Sequence, residues 1–341
     1  MAWSEKMVLE FQTKNNMELK EINDSLRPDE GIKTGKLGFF CFGQVGDLAT
    51  TMSALQYRNE LWKDKAIIWY ANCPNADLLR YAPISEVRPW LWAGNGLPEG
   101  CPDYYPMLCD SNNRLNKELA ANFPGTADLE GGYFPAPHML SSEKRHGINY
   151  PNVSKMILGI DPSKEWHPYL SFSEEEKQMA KDFIAKMPTG KIIILETYCG
   201  SGQSLLNHYM VTETMEICKR ICGECNFIFV SHKYLNKQEN YPDEKLNIGY
   251  HIHSAAQFTP RQCALLANYC DIFISVSSGI SVTSSCWGNK KFPILQYCGS
   301  AVCGTKELAN GQIEQVFSDY RSPVDSQNEF FSKLTLMLEK L

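Results

Sequence analysis

Asp47 is a carboxylate placed where an open α/β sheet meets its ligands. It lies in the run Phe40 to Thr51 (FCFGQVGDLATT), where a strand-like apolar stretch passes through two glycines into a helix-like one. Gly43 and Gly46 permit a tight turn, and Asp47, Thr50 and Thr51 then fall at a helix N-terminus beside backbone N–H groups that lack helical partners. Ligands of open α/β sheets gather outside the carboxyl ends of the strands, so an acid here faces a ligand. Capping its own helix is the alternative role for Asp47. The run has no third glycine of the dinucleotide fingerprint and the chain has no G-x4-GK[ST], which argues against dehydrogenases and P-loop enzymes.

Two further segments have the composition of anion-binding turns. Leu195 to Ser204 (LETYCGSGQS) offers the hydroxyls of Thr197, Ser201 and Ser204, the amide of Gln203, and the glycines Gly200 and Gly202. Such a loop can wrap a diphosphate with N–H and O–H donors, and an ordinary glycine-rich turn is the alternative. It contains no Lys or Arg, so basic help would have to come from afar, with Lys233 and Arg261 as candidates. Glu196 ends the preceding strand and is read either as a group that orients a ribose or sugar hydroxyl or as a satisfied core carboxylate. In Thr259 to Ser285 (TPRQCALLANYCDIFISVSSGISVTSS), Thr259 and Pro260 suit the N-cap and first position of a helix. Asp271 to Val276 then reads as a buried strand, and Ser277, Ser278 and Gly279 open another helix with Ser281 in its first turn.

These residues need a scaffold that presents strand ends, and the chain supplies one. From Leu37 onward it alternates strand, loop and helix, the pattern of parallel sheets covered on both faces. Strands are expected near 37–42, 66–71 and 86–92, then 191–196, 226–231, 248–252, 271–276 and 293–297. Helices are expected near 47–62, 74–82, 113–122, 151–159, 173–187, 210–222, 260–269, 279–287 and 328–341, with a capping box at Ser173 and Glu176. The stretch 123–150, rich in Gly, Pro and His, reads as a functional loop. A length of 341 residues exceeds what one core usually serves. Three parts are expected: an N-terminal appendage (1–35), a first Rossmann-like domain (36–165) and a second (166–341), hinged at 160–170.

Composition narrows the function classes. A formal charge of -6 with no dense Lys/Arg stripe gives no footing for nucleic acid. The apolar runs have strand length, far below the ~20 residues that span a bilayer. Residues 1–10 lack the apolar core of a signal peptide, so a cytoplasmic protein is expected. The 13 cysteines read as reduced and largely buried, as at Cys41, Cys263, Cys270 and Cys286. The exception is Cys218, Cys222 and Cys225, whose last pair has the spacing of half a zinc site without a second half. Trp90, Trp92, Tyr104 and Tyr105 read as aromatic core or as a sugar-stacking platform. His251 and His253 share a strand face and suit packing and surface hydrogen bonds.

Taken in order, Gly46 to Leu55 (GDLATTMSAL), Asn75 to Pro83 (NADLLRYAP) and Asp271 to Ser285 resemble the signature regions of glycosyltransferase family 9, the ADP-heptose:lipopolysaccharide heptosyltransferases and their relatives. The resemblance spans about residues 36 to 300. It implies a GT-B fold, two Rossmann-like domains whose parallel sheets face a central cleft, with an acceptor domain followed by a nucleotide-sugar donor domain. It further implies that Asp47 deprotonates the acceptor hydroxyl, so that transfer inverts the anomeric carbon without metal or cofactor. Thr197, Gly200 to Ser204, Ser277 to Gly279 and Ser281 would hold the donor, with Gly46, Thr50, Thr51 and Glu196 in support. The acceptor would be a glycan or glycolipid, through which the protein would touch the cytoplasmic membrane face. The chain departs from the family at Ser277, where an Asp is usual, at Val282, where a His is usual, and in lacking a basic residue in the first donor loop. A non-catalytic binding relative and a nucleotide-sugar epimerase are the alternative readings.

Overall fold

The computed structural model describes residues 19–41, 45–71, 73–89, 133–135, 150–199, 206–230, 250–255, 257–286, 288–299, 313–317 and 321–341. The predicted helix at 113–122, the four aromatics from Trp90 to Tyr105, Gly43 and Lys233 lie outside them. The chain divides into two compact units, Met1–Phe172 and Ser173–Leu341.

The first unit is built on β1 (Lys36–Cys41), β2 (Ala66–Ala71), β3 (Glu86–Pro89) and β4 (Tyr133–Pro135), all parallel in the order β3-β2-β1-β4. β1 and β2 are near-continuous apolar runs because both of their faces are covered. Their register is marked by aromatic pairs. Phe39 stands opposite Trp69 with ring centroids 4.9 Å apart, and Phe40 opposite Tyr70 at 4.4 Å. β4 escapes sequence reading because three residues between glycines and prolines carry no period.

A helix at 19–25, here α1, buries Leu19 and Ile22. Its Asn23 donates from Nδ2 to the carbonyl of Val87 at 2.9 Å and accepts the Val87 N–H on Oδ1 at 2.7 Å. One side-chain amide thus completes the outer edge of β3, an edge that would otherwise carry unpaired backbone groups. Residues 19–35, expected as an appendage, belong to the first unit, where the Arg27 N–H also donates to the Ala82 carbonyl at 3.1 Å and the Thr34 N–H to the Asp64 carbonyl at 2.8 Å.

The single helix expected at 47–62 is three pieces: α2 (Val45–Met52), a 3-10 segment (Ser53–Tyr57) and α3 (Arg58–Leu61). Thr50 and Thr51 back-bond to carbonyls four residues earlier, a habit that bends helices. The tightened turn lets Gln56 reach the carbonyl of His167 and Tyr57 that of Glu165. Trp166 Nε1 donates to the Thr50 carbonyl at 3.0 Å, so the segment predicted as a hinge is fastened to the first unit. The helix expected at 74–82 is a 3-10 segment, Cys73–Leu79, and α4 (Tyr150–Leu158) closes the unit.

The second unit carries β5 (Lys191–Leu195), β6 (Cys225–Phe229), β7 (His251–Ser254), β8 (Ile272–Val276), β9 (Ile294–Cys298) and β10 (Ile313–Phe317), all parallel in the order β10-β9-β8-β5-β6-β7. Counted from β5 this is 3-2-1-4-5-6, the order of dinucleotide-binding sheets, with the reversal between β5 and β8. Its helices are α5 (Glu174–Ala185), α6 (His208–Cys222), α7 (Pro260–Ala267), α8 (Gly279–Ser284) and α9 (Pro323–Leu338). The core gathers Leu195, Phe227 and Phe229 from the sheet with Met215 of α6 and Phe330 and Leu334 of α9. Three helices begin with full capping boxes: Ser173 with Glu176, Thr259 with Gln262, and Ser278 with Ser281.

Candidate functional site

In the first unit the sheet reverses at β1, which has β2 on one side and β4 on the other. The chain leaves the carboxyl end of β1 and enters α2, so Gly46 and Asp47 occupy the first helical turn at the sheet's switch point. Asp47 is half-buried. Thr50 and Thr51 do not share its exposure. Their hydroxyls donate to the carbonyls of Gly46 and Asp47, each at 2.8 Å, and both residues are buried. They anchor the turn that carries the acid, and both hydroxyls donate to its backbone.

In the second unit the switch point lies between β5 and β8, and the residues singled out in the sequence converge there. Glu196 continues β5. Its N–H donates to the Ile274 carbonyl at 2.9 Å, and its own carbonyl accepts the Val276 N–H at 3.2 Å, so its backbone is locked to β8. Its side chain is 1% exposed and accepts a short hydrogen bond from Ser278 Oγ on Oε2. Ser278 Oγ also accepts the Ser281 N–H at 3.1 Å, and Ser281 Oγ donates to the Ser278 carbonyl at 2.9 Å. The chain of bonds continues outward: Gln296 Nε2 donates to Ser281 Oγ at 2.9 Å, and Gln315 Nε2 to Gln296 Oε1 at 2.9 Å. A polar string therefore runs from Glu196 through Gln296 of β9 to the edge strand β10.

Thr197 is buried, and its carbonyl accepts the Leu206 N–H at 2.9 Å, which draws together the two ends of the loop between them. Gly200, Ser201, Gly202, Gln203 and Ser204 in that loop lie outside the described residues. Ser277, in the turn between β8 and α8, and Gly279, the first residue of α8, are half-buried. The structure thus brings Glu196, Thr197, Ser277, Ser278, Gly279 and Ser281 to one place, while Gly46, Asp47, Thr50 and Thr51 belong to the other unit. Gln296 and Gln315 were missed by sequence reading, although a lone amide in the apolar run ILQYC was the available signal.

Arg261, considered as a distant phosphate ligand, is committed elsewhere. Its Nη1 donates to Glu176 Oε2 at 2.8 Å and its Nη2 makes a shorter bond to Oε1. Glu176 also accepts from Gln262 Nε2 at 3.0 Å and from the Ser173 N–H at 3.0 Å. This pair joins the capping boxes of α5 and α7 within the fold. Cys218 and Cys225 are buried free thiols and Cys222 is a partly buried one; among the described residues no group of three His, Cys, Asp or Glu is placed to hold a metal ion. Burial pushes the Cys225 thiol up to about 12, with the neighbouring Cys222 adding to the effect.

Burial likewise raises the Glu196 carboxyl from its ordinary 4.5 to about 8. The hydrogen bond from Ser278 works against this and the nearby Cys199 thiol adds to it. Between those two values the unfolded chain has lost a proton that the folded chain keeps, so stability falls as pH rises. The slope reaches about 1.4 kcal/mol per pH unit. The contribution is fully present below 4.5 and gone above about 8. Urea unfolding of wild type and Glu196→Gln across this range should show the decline in the wild type alone; parallel profiles would remove Glu196 as its source.

The two parallel α/β units of this chain have a fold of the GT-B class. Its fold is similar to that of a glycosyl transferase family 9 structure from Veillonella parvula DSM 2008, with TM-score 0.60, 11% identity, and 88% of this chain and 90% of that one covered. It is equally similar to E. coli ADP-heptose lps heptosyltransferase II, at TM-score 0.60 and 13% identity over 90% and 99% of the two chains. E. coli heptosyltransferase WaaC with ADP-2-deoxy-2-fluoro heptose matches at TM-score 0.51 and 11% identity over 87% and 99%. No family model and no curated protein matches the sequence. Among the described residues no helix is long and apolar enough to cross a membrane.

Proposed function

We propose that this chain is an inverting, metal-independent glycosyltransferase that moves a sugar from a nucleotide donor to a hydroxyl of a glycan or glycolipid. The observation that carries this reading is the second sheet. It has the strand order of dinucleotide-binding sheets, and Glu196 and Ser278 are hydrogen-bonded at its switch point, where such sheets take nucleotides. The fold likeness to heptosyltransferases supports the same class, and a nucleotide sugar of the ADP-heptose kind is the first donor to try.

In this reading the second unit binds the donor diphosphate between the loop after Thr197 and the Ser277 turn. N–H and O–H donors there stabilise the leaving nucleoside diphosphate as its bond to the sugar breaks. Asp47 of the first unit takes the proton of the acceptor hydroxyl as that oxygen attacks the anomeric carbon from the opposite side. Gly46, Thr50 and Thr51 hold the turn that carries Asp47. A glycolipid acceptor would bring the protein to the cytoplasmic membrane face without a spanning segment.

The test is a panel of nucleotide sugars and nucleoside diphosphates, scored first by thermal shift and then by sugar transfer. A ligand that binds only the folded chain raises the midpoint, and at 100 times its dissociation constant it adds about 2.7 kcal/mol. One diphosphate should shift the midpoint well beyond its nucleoside, and its sugar ester should be a donor. Equal shifts by nucleoside and diphosphate would refute the donor site. One observation favours a second reading, a nucleotide-sugar-binding chain without turnover: the Ser278 and Ser281 hydroxyls are spent on Glu196 and on the turn itself. Binding without transfer from any donor would select it.

A further inference from the structure

Glu196 is an acid in a place where a charge is costly. Its side chain is enclosed, its hydrogen-bond partners are neutral, the Ser278 hydroxyl and the Ser281 N–H, and the titratable groups facing it among the described residues are thiols, Cys199 following β5 and Cys263 of α7. Both thiols are themselves buried. An ionised carboxylate there would stand beside the anion that the proposed function brings to the same switch point, and the two would repel each other. A protonated acid keeps the hydrogen bond to Ser278 and adds no negative charge.

We propose that Glu196 is a positioning residue that works as a neutral carboxylic acid, holding the Ser277–Ser281 turn against β5 so that the crevice outside β5 and β8 accepts a diphosphate, and closing that crevice to anions once it ionises. The inference rests on the donor reading above and adds regulation by pH to it. The polar string gives the turn a second attachment, through Ser281 to Gln296 and Gln315, so the turn is held from both β5 and β9. The burial that raises the Glu196 carboxyl to about 8 sets the range in which the change occurs.

The experiment is calorimetric titration of the full chain with ADP, UDP and GDP from about pH 7 to about pH 9. Wild-type affinity for the diphosphate that binds should fall about tenfold across this range, and binding near pH 8 should take up roughly half a proton, read from the dependence of the heat on buffer ionisation. In Glu196→Gln the affinity should change less than about twofold over the same range, since the amide keeps the acceptor and cannot ionise. The proton uptake is measured on the wild type and does not depend on how well the variant folds. Binding without pH dependence or proton uptake, or an equal decline in the Gln variant, overturns this inference and leaves the donor site standing. Failure of all three diphosphates to bind at any pH overturns both.

Discussion

Asp47→Asn should lower sugar transfer by roughly 10²–10⁴-fold, the range over which a positioned general base contributes, while the affinity for the donor's nucleoside diphosphate stays within about twofold. Asn has the same shape as Asp and can keep the same helical turn, so Thr50 and Thr51 still find their carbonyls. It cannot accept the acceptor hydroxyl's proton. The loss should appear in kcat and kcat/KM together, because the interaction removed exists only as the proton moves. Transfer undiminished in Asp47→Asn would end the case for a base at this position. Loss of diphosphate affinity in the same variant would mean that the acid binds donor instead. Asp47 belongs to the first unit and Glu196 to the second, so the pH dependence assigned to Glu196 should survive in the Asp47 variant.

The largest effect on stability is expected from Arg261→Met. Arg261 is 1% exposed and Glu176 lies with it behind two capping boxes, so removing the guanidinium leaves a carboxylate enclosed without its counter-charge. Breaking such a pair from one side costs about 3–5 kcal/mol, much of it the penalty of the abandoned partner. Hydrogen exchange at β8 in increasing urea reads this in the unit concerned. The double variant Arg261→Met with Glu176→Gln should recover a large share, since the amide still accepts the Ser173 N–H and carries no charge. A single variant as stable as wild type would show that the pair's attraction merely offsets its desolvation and that the remaining bonds satisfy Glu176.

The features legible in the sequence are those whose causes lie within a few residues. The capping box at Ser173 needs only the residue three places on, and the helix start at Thr259 and Pro260 needs only a hydroxyl and a proline ring. The runs LGFFC, AIIWYA and IFISV declare strands buried on both faces through their composition alone. The placement of Asp47 after β1 and of Glu196 after β5 follows from the same local logic. The long helix at 47–62 was misjudged because its pattern is helical throughout, whereas its break answers to carbonyls of Glu165 and His167 more than a hundred residues away.

Sequence alone therefore determined the α/β class, most of the strands, and the two strand ends at which chemistry is to be sought. Tertiary structure decided which strands are neighbours, and with it the meeting of Glu196 and Ser278 across 82 residues, the raised proton affinity that follows, and the fate of Arg261 as a structural cation. It also turned Asn23 from one polar residue among many into the edge partner of β3. The physical reason is range. Propensity and capping are settled by bonds between near neighbours along the chain, whereas burial, pairing and proton affinity are set by groups that only folding brings within hydrogen-bond reach.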